Sequence, residues 1–191
     1  MIQLLTPKDY SIRAWSGGET TELFIFPTDA SYTERTFQVR ISTATVTVSA
    51  STFTSLPGFL RVISLLEGEL SLTHYENSGK RHVQLTPFQL DTFSGEIVTT
   101  SQGTCRDFNL MLSGDMTGSL TPFTRGQVDC QNMEQWVIYA IQPLQVHLAD
   151  SVYTLNPKET LVISEFTGTL MIENASPNIG AMLCHFAPKR G

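Results

Sequence analysis

The stretch Phe53–Gly68 reads Phe-Thr-Ser-Leu-Pro-Gly-Phe-Leu-Arg-Val-Ile-Ser-Leu-Leu-Glu-Gly, and it is the most informative segment for the fold class. The turn pair Pro57-Gly58 comes before an apolar run typical of a strand, and a second turn signal at Gly68 ends that run. Side chains alternate along a strand, and here both faces are mostly apolar. We therefore predict a strand that the rest of the chain covers on both sides.

Arg61 is the charged residue inside this predicted strand. A guanidinium keeps its proton, so burying it is costly unless a partner neutralises the charge. Three explanations are open: the side chain reaches the rim of the fold, the fold supplies a carboxylate, or an anionic ligand binds there. The last explanation makes Arg61 a candidate anion-binding residue.

The composition is that of a globular chain of one domain or two small ones. The 191 residues are 41% hydrophobic and 16% charged, with a formal net charge of −6. No basic cluster precedes the terminal Lys189-Arg190, which argues against a nucleic-acid partner. No apolar stretch is long enough to span a membrane, no leader peptide is recognised, and three widely spaced cysteines fit a reduced protein. We expect a cytoplasmic protein without a membrane partner.

Roughly a dozen short strand-like segments, separated by turn residues, follow one another along the chain. The strongest is 37–49, whose alternation changes character in the middle, as at a bulge or where a strand crosses between sheets. Residues 70–85 form a hairpin pattern, and no convincing amphipathic helix occurs. These patterns predict an all-β sandwich or barrel.

A small polar set interrupts the apolar strands. Arg40 and Ser42 share one face of their predicted strand, and Asp107 and Asn109 share one face of another, roughly 6.5–7 Å apart. Two interpretations are equally supported by spacing. Either an arginine forms a buried ion pair with Asp107, or the set lines a pocket whose guanidinium groups hold a carboxylate.

Metal and nucleophile signals are weak. The four histidines form no His-x-His pair, no Gly-x-Ser-x-Gly elbow occurs, and of the three cysteines only Cys184 has a histidine nearby in sequence, the adjacent His185. We therefore expect no metal site, no cofactor and no nucleophilic catalyst.

The sequence resembles the HutD/Ves family of cupin-like (RmlC-like) proteins over residues 13–112, and more thinly in the C-terminal part. The matching elements, in chain order, are Trp15-x-Gly-Gly-x-Thr-x-Glu22-Leu, Phe37-x-x-Arg-Ile-Ser42-x-Ala, Phe53-x-x-x-Pro-Gly-x-x-Arg61, Leu66-x-Gly68, Phe93-x-Gly95 and Asp107-Phe-Asn-Leu-Met111.

The resemblance implies a bicupin, with a first cupin-like barrel over residues 1–113 that contains the pocket and a smaller second one over 114–191. Some N-terminal strands could pair with the second barrel. HutD proteins are associated with histidine utilisation and are suspected to bind formylglutamate or urocanate as regulators, whereas Ves relatives are linked to environmental stress. Cupin-like chains often pair through sheet edges, so a homodimer is the oligomer that the resemblance suggests. The resemblance places the ligand-binding residues at Trp15, Thr20, Glu22, Arg40, Ser42, Arg61, Asp107 and Asn109.

Three functions remain open at this point. The favoured one is a metal-independent protein that binds a small carboxylate without turnover: Arg61 holds the anion, Asn109 and Ser42 orient it, and Asp107 fixes an arginine. In this arrangement Glu22 pairs with the second arginine and Trp15 forms an apolar wall. The second is a metal-independent isomerase or lyase acting on a small carboxylate or sugar acid, with Glu22 or Asp107 as base. The third is a structural protein in which the polar set is only an ion-pair network.

Overall fold

The computed structural model describes residues 1–131 and 133–189, and in these residues the protein is all-β, with strands and no helix. The strands are, in chain order, β1 Ile2–Leu5, β2 Ser11–Trp15, β3 Gly18–Phe26, β4 Val39–Val46, β5 Ala50–Thr52, β6 Phe59–Gly68, β7 Leu70–Glu76, β8 Gly79–Leu85, β9 Leu90–Ser94, β10 Val98–Gln102, β11 Cys105–Ser113, β12 Met116–Phe123, β13 Gly126–Cys130, β14 Gln135–Ala140, β15 Leu144–Leu148, β16 Ser151–Leu155, β17 Thr160–Ile163, β18 Gly168–Asn174 and β19 Ala181–Pro188.

The chain forms two compact units. One consists of Ser11–Met116, and the other combines Met1–Tyr10 with the residues from Thr117 onward. The first ten residues join the C-terminal half because β1 pairs antiparallel with β17, Ile2 opposite Ile163. The predicted division into 1–113 and 114–191 allowed for N-terminal strands in the C-terminal half, and β1 is such a strand.

The unit Ser11–Met116 contains two antiparallel sheets. The larger has six strands in the order β2-β3-β4-β11-β6-β9, and the smaller has four in the order β5-β10-β7-β8. Apolar side chains from both sheets form one core cluster, which includes Ile63 and Leu65 from the larger sheet and Leu70 and Leu72 from the smaller. Burial of this apolar area is the main stabilising contribution to the unit.

Strand β6 lies inside the larger sheet, between β11 and β9. Every residue from Arg61 to Leu66 is buried, so the prediction of a strand covered on both sides is confirmed. Of the predicted strand 37–49, residues Val39–Val46 form β4 in the larger sheet, and β4 pairs with β11 without a register shift, so neither a bulge in β4 nor a crossing between sheets occurs in the middle of the pattern. The chain passes to the smaller sheet only after β4 ends, through residues 47–49 to β5, which begins at Ala50.

The other unit also contains two antiparallel sheets. Their strand orders are β1-β17-β14-β19-β12 and β13-β18-β15-β16. A core cluster joins them, with Ile138 and Leu183 from the first sheet and Val146 and Ile172 from the second. Within the described part of the chain we find no helix with the length and apolar character needed to cross a membrane.

Candidate functional site

A cavity of about 490 Å³ lies within the unit Ser11–Met116. Its walls come from the larger sheet, from residues 32–35 in the β3–β4 loop, and from residues 51–56, which span β5 and the segment after it. Seven of the eight predicted ligand-binding residues line it, namely Trp15, Thr20, Arg40, Ser42, Arg61, Asp107 and Asn109. The eighth, Glu22, lies behind this lining and contacts Arg40.

Strand pairing explains why residues so distant in sequence meet. In the β4–β11 ladder Ser42 lies opposite Asn109, and in the β6–β11 ladder Arg61 lies opposite Met111. Directly opposed residues have side chains on the same face of a sheet. Residues two apart on β11 also share a face, so Asp107 and Asn109 join this cavity wall as the sequence predicted.

Arg40 is a neutralised cation. Its Nε donates to the Oε2 of Glu22 over 2.7 Å, and its Nη1 donates to the Oγ of Ser42 over 3.2 Å. The ring of Tyr32 lies 4.1 Å from the guanidinium carbon, a cation–π contact. The predicted pairing of Glu22 with an arginine is therefore present.

Arg61 has a different environment. It is only 7% exposed, and no carboxylate of the described residues lies within ion-pair distance of it. Its Nη1 donates to the carbonyl of Thr54 over 3.3 Å, and its guanidinium carbon lies 4.7 Å from the ring of Phe53 and 5.4 Å from that of Phe93. Burial lowers the pKa of Arg61 to about 10, so the group is still a cation at neutral pH.

Asp107 does not hold an arginine. Its Oδ1 accepts a hydrogen bond from the backbone N–H of Ala44 over 3.0 Å and another from the Nδ2 of Asn109 over 2.7 Å. Because no arginine nitrogen in the described residues is within ion-pair distance of this carboxylate, the prediction that Asp107 fixes an arginine side chain is wrong. The β4 backbone and the neighbouring amide are closer donors than either guanidinium.

Burial raises the pKa of Asp107 to about 7, against the opposing effects of the Ala44 and Asn109 hydrogen bonds and of the two arginine charges. Asp107 is only 5% exposed. The cavity therefore contains a carboxyl group that changes its charge near neutral pH, beside a permanent cation.

Thirteen other lining residues were not among the sequence candidates, and six of them come from loops. Arg13 and Arg35 are exposed arginines that donate to the Oγ1 of Thr33 and to the carbonyl of Ser55, over 2.7 and 3.2 Å. Tyr32 and Phe53 cover the two buried guanidinium groups. Phe53 belongs to the element Phe53-x-x-x-Pro-Gly-x-x-Arg61, so this element could have identified it as a site residue. The polar loop around Tyr32 contains no such element.

The cavity is chemically suited to anions. Among the described residues four arginines line it, Arg13, Arg35, Arg40 and Arg61, against one lining carboxylate, that of Asp107. In the described residues no group of three or more histidine, cysteine, aspartate or glutamate side chains is arranged to hold a metal ion.

Comparison with solved structures shows the same fold in bacterial proteins. PA5104 of Pseudomonas aeruginosa PAO1, a conserved protein of unknown function, has a TM-score of 0.80 and 21% identity, and HutD of Pseudomonas fluorescens SBW25 has a TM-score of 0.79 and 22% identity. Both alignments cover all of this chain and all of the other. Oxalate decarboxylase of Bacillus subtilis has a TM-score of 0.64 at 8% identity, over 98% of this chain and 77% of that one, which indicates a cupin-like fold.

Among curated proteins, none has a sequence that matches this chain significantly. The sequence profile of the HutD family, however, matches residues 7–178, which is most of the chain. This range includes the whole cavity and all eight predicted ligand-binding residues. The protein belongs to the HutD family of cupin-like proteins.

Proposed function

We propose that this protein binds a small carboxylate in the cavity of the unit Ser11–Met116, without a metal and without turnover, and that binding serves regulation. The observation that carries the proposal is Arg61, a buried cation with no carboxylate partner in the described residues. A buried charge that lacks a counter-ion is unfavourable by several kcal/mol unless something compensates it. A carboxylate in the cavity supplies that counter-ion, and the planar guanidinium suits its two oxygens.

The shape of the cavity supports a small molecule rather than a macromolecule. Its volume of about 490 Å³ is within the usual range for small-molecule sites. Its walls combine the aromatic rings of Tyr32 and Phe53 with a few polar groups. This combination is typical of sites that hold a small ligand in one orientation. Family membership makes formylglutamate and urocanate, the carboxylates suspected for HutD proteins, the first compounds to test.

A thermal-shift screen tests this function. Formylglutamate, urocanate, histidine, glutamate and sugar acids are added to the wild-type protein, and a ligand at one hundred times its dissociation constant should stabilise it by about 2.7 kcal/mol. If no carboxylate raises the melting temperature, the proposed function loses its basis.

Two arginine variants make the screen specific. Arg61→Met should abolish the shift because it removes the unpaired cation while keeping a similar apolar stem. Arg106→Met, on the same sheet but outside the cavity lining, should keep the shift. Loss of the fold in Arg61→Met alone would instead favour a purely structural role for the polar set.

A second candidate is a metal-independent isomerase or lyase. It is favoured by Asp107, because a carboxyl group whose pKa is raised to about 7 is suited to proton transfer near neutral pH. This activity requires that the carboxylate be consumed when it is incubated with the protein, with a rate that Asp107→Asn abolishes. Binding without consumption supports the regulatory function.

We further propose that the two units are two cupin-like barrels, that is, a bicupin. Each unit consists of two antiparallel sheets that share one core cluster, and this supports the assignment. Production of residues 11–116 alone tests it. An independently folded barrel should unfold cooperatively, whereas a fragment that stays unfolded would contradict two autonomous barrels.

A further inference from the structure

Two buried polar atoms on cavity-lining side chains have no hydrogen-bond partner among the described residues. They are the Nε of Arg61, a donor, and the Oδ1 of Asn109, an acceptor. Both residues are more than nine-tenths buried, at 7% and 5% exposure. Buried polar groups are nearly always paired in folded proteins, so two unpaired groups in one cavity call for an explanation.

The orientation of the Asn109 amide is fixed by its neighbour. Its Nδ2 donates to the Oδ1 of Asp107 over 2.7 Å, and that oxygen also accepts the backbone N–H of Ala44. With the Ala44 N–H already bound to it, this oxygen is an acceptor both in the ionised carboxylate and in a carboxyl group that carries its proton on Oδ2, so turning the amide over would place oxygen against oxygen. The Oδ1 of Asn109 therefore remains an acceptor without a donor.

The guanidinium of Arg61 is fixed as well. Its Nη1 donates to the carbonyl of Thr54, and Phe53 covers its face. The Nε–H consequently has a defined direction and no acceptor in the described residues.

Strand pairing places the two unpaired groups within reach of one small molecule. Arg61 lies opposite Met111, and Asn109 is two residues from Met111 on β11, so the two residues are diagonal neighbours on one face. The Cα atoms of such neighbours are about 7–8 Å apart.

We infer that Asn109 determines specificity in this cavity: the ligand carries, besides the anionic group that meets Arg61, a hydroxyl or N–H group that donates to the Oδ1 of Asn109. This inference rests on the proposed carboxylate binding and narrows its ligand class to hydroxy or amino-type carboxylates. A carboxylate that presents an ether or methyl group there leaves a buried acceptor unpaired, which weakens binding by at least about tenfold.

Matched pairs of small carboxylates test the inference on the full chain. The pairs are glycolate with methoxyacetate, 3-hydroxypropanoate with 3-methoxypropanoate, and 4-hydroxybutanoate with 4-methoxybutanoate, which differ only by O–H against O–CH₃. Dissociation constants come from NMR titration of the protein. We expect the hydroxy member to bind at least about tenfold more tightly for one chain length or more.

The outcomes separate this inference from the proposed function. Equal affinity within all three pairs overturns the inference, since the ligand would then make no hydrogen bond to Asn109 that depends on its hydroxyl group, but leaves carboxylate binding standing. Failure of all six compounds to bind, while a carboxylate of the thermal-shift screen does bind, overturns the inference alone; failure of both sets of compounds contradicts carboxylate binding and the inference with it. These results come from the wild-type protein, so they do not depend on whether a variant folds.

A variant of Asn109 tests whether this residue causes the difference in affinity between the hydroxy and methoxy compounds. Asn109→Leu should bring the affinity ratio of the preferred pair close to one, and Arg106→Met should leave the wild-type ratio unchanged. An undiminished ratio in folded Asn109→Leu would overturn the assignment to Asn109.

Discussion

The Nε of Arg40 donates to the Oε2 of Glu22 over 2.7 Å, and this ion pair lies beside a cavity in which the second buried arginine, Arg61, has no such partner within the described part of the chain. Both arginines are at least nine-tenths buried. Arg40 is neutralised inside the larger sheet by Glu22, whereas Arg61 has no carboxylate partner among the described residues. The two should therefore respond differently to the same substitution.

The first prediction compares the stability of Arg40→Met with that of Arg61→Met. Arg40→Met leaves the partly buried Glu22 without its partner, so the free energy of unfolding should fall by about 1–3 kcal/mol. Arg61→Met removes an uncompensated buried charge, so the same quantity should change by less than about 1 kcal/mol. Urea unfolding without ligand measures both. A larger loss in Arg61→Met than in Arg40→Met would contradict the assigned roles.

The second prediction concerns stability against pH. The pKa of Asp107 is about 7 in the folded protein and 3.8 in the reference state, so the folded protein holds this proton more tightly than the unfolded chain does. The stabilising contribution of the Asp107 proton is complete below the pKa that Asp107 has in the unfolded chain. It is lost as the pH rises through the pKa that Asp107 has in the folded protein. Each tenfold difference in proton affinity between the two states corresponds to about 1.4 kcal/mol.

Asp107→Asn measures that contribution because its amide does not titrate. The difference in free energy of unfolding between wild type and variant should change steadily between pH 4 and about pH 7, in the direction that favours the wild type in acid. Subtraction removes the effects of other titrating groups, among them His74, whose pKa burial lowers. A difference that stays constant with pH would rule out the raised pKa.

The third prediction concerns binding against pH. A bound carboxylate and an ionised Asp107 are like charges in one cavity, so binding should favour the protonated form of Asp107. The affinity for a carboxylate that stays ionised should fall several-fold from about pH 6 to about pH 9. Calorimetry in two buffers of different ionisation enthalpy should detect proton uptake on binding. Asp107→Asn should bind with little pH dependence, and an equally steep dependence in this variant would exclude Asp107 as its source.

The fourth prediction concerns Gly18, in the Gly-Gly pair that follows β2. Its φ is +150°, and a Cβ at this position would lie 1.8 Å from the carbonyl oxygen of Thr45 on β4. Gly18→Ala should therefore lower the free energy of unfolding by roughly 2–4 kcal/mol. Gly79→Ala is the control, since its φ of +132° carries strain but a Cβ there meets no atom within 4 Å. Its loss should be about 1 kcal/mol, and equal losses would contradict the close approach to Thr45.

The strands that could be predicted are those with strong apolar alternation. Residues 144–148 and 151–155 have such a pattern in the sequence, and they form β15, Leu144–Leu148, and β16, Ser151–Leu155. Strands β2 and β10 lack such a pattern. Every residue of Ser11–Trp15 is exposed, and Val98–Gln102 is mostly polar, so neither has the apolar periodicity that distinguishes a strand from a loop. Backbone pairing to neighbours holds them in place.

By itself the sequence determined that the chain is all-β and that Arg40, Arg61 and Asp107 occupy positions inside strands, because alternation along a strand is a local property. Only the tertiary structure decided which of these charges meet. Glu22 reaches Arg40 because β3 pairs with β4, and Asp107 turns to the Ala44 N–H and to Asn109 because β11 pairs with β4. Ion-pair partners depend on the register between strands far apart in sequence, and a buried guanidinium is left unpaired when that register brings no carboxylate to it.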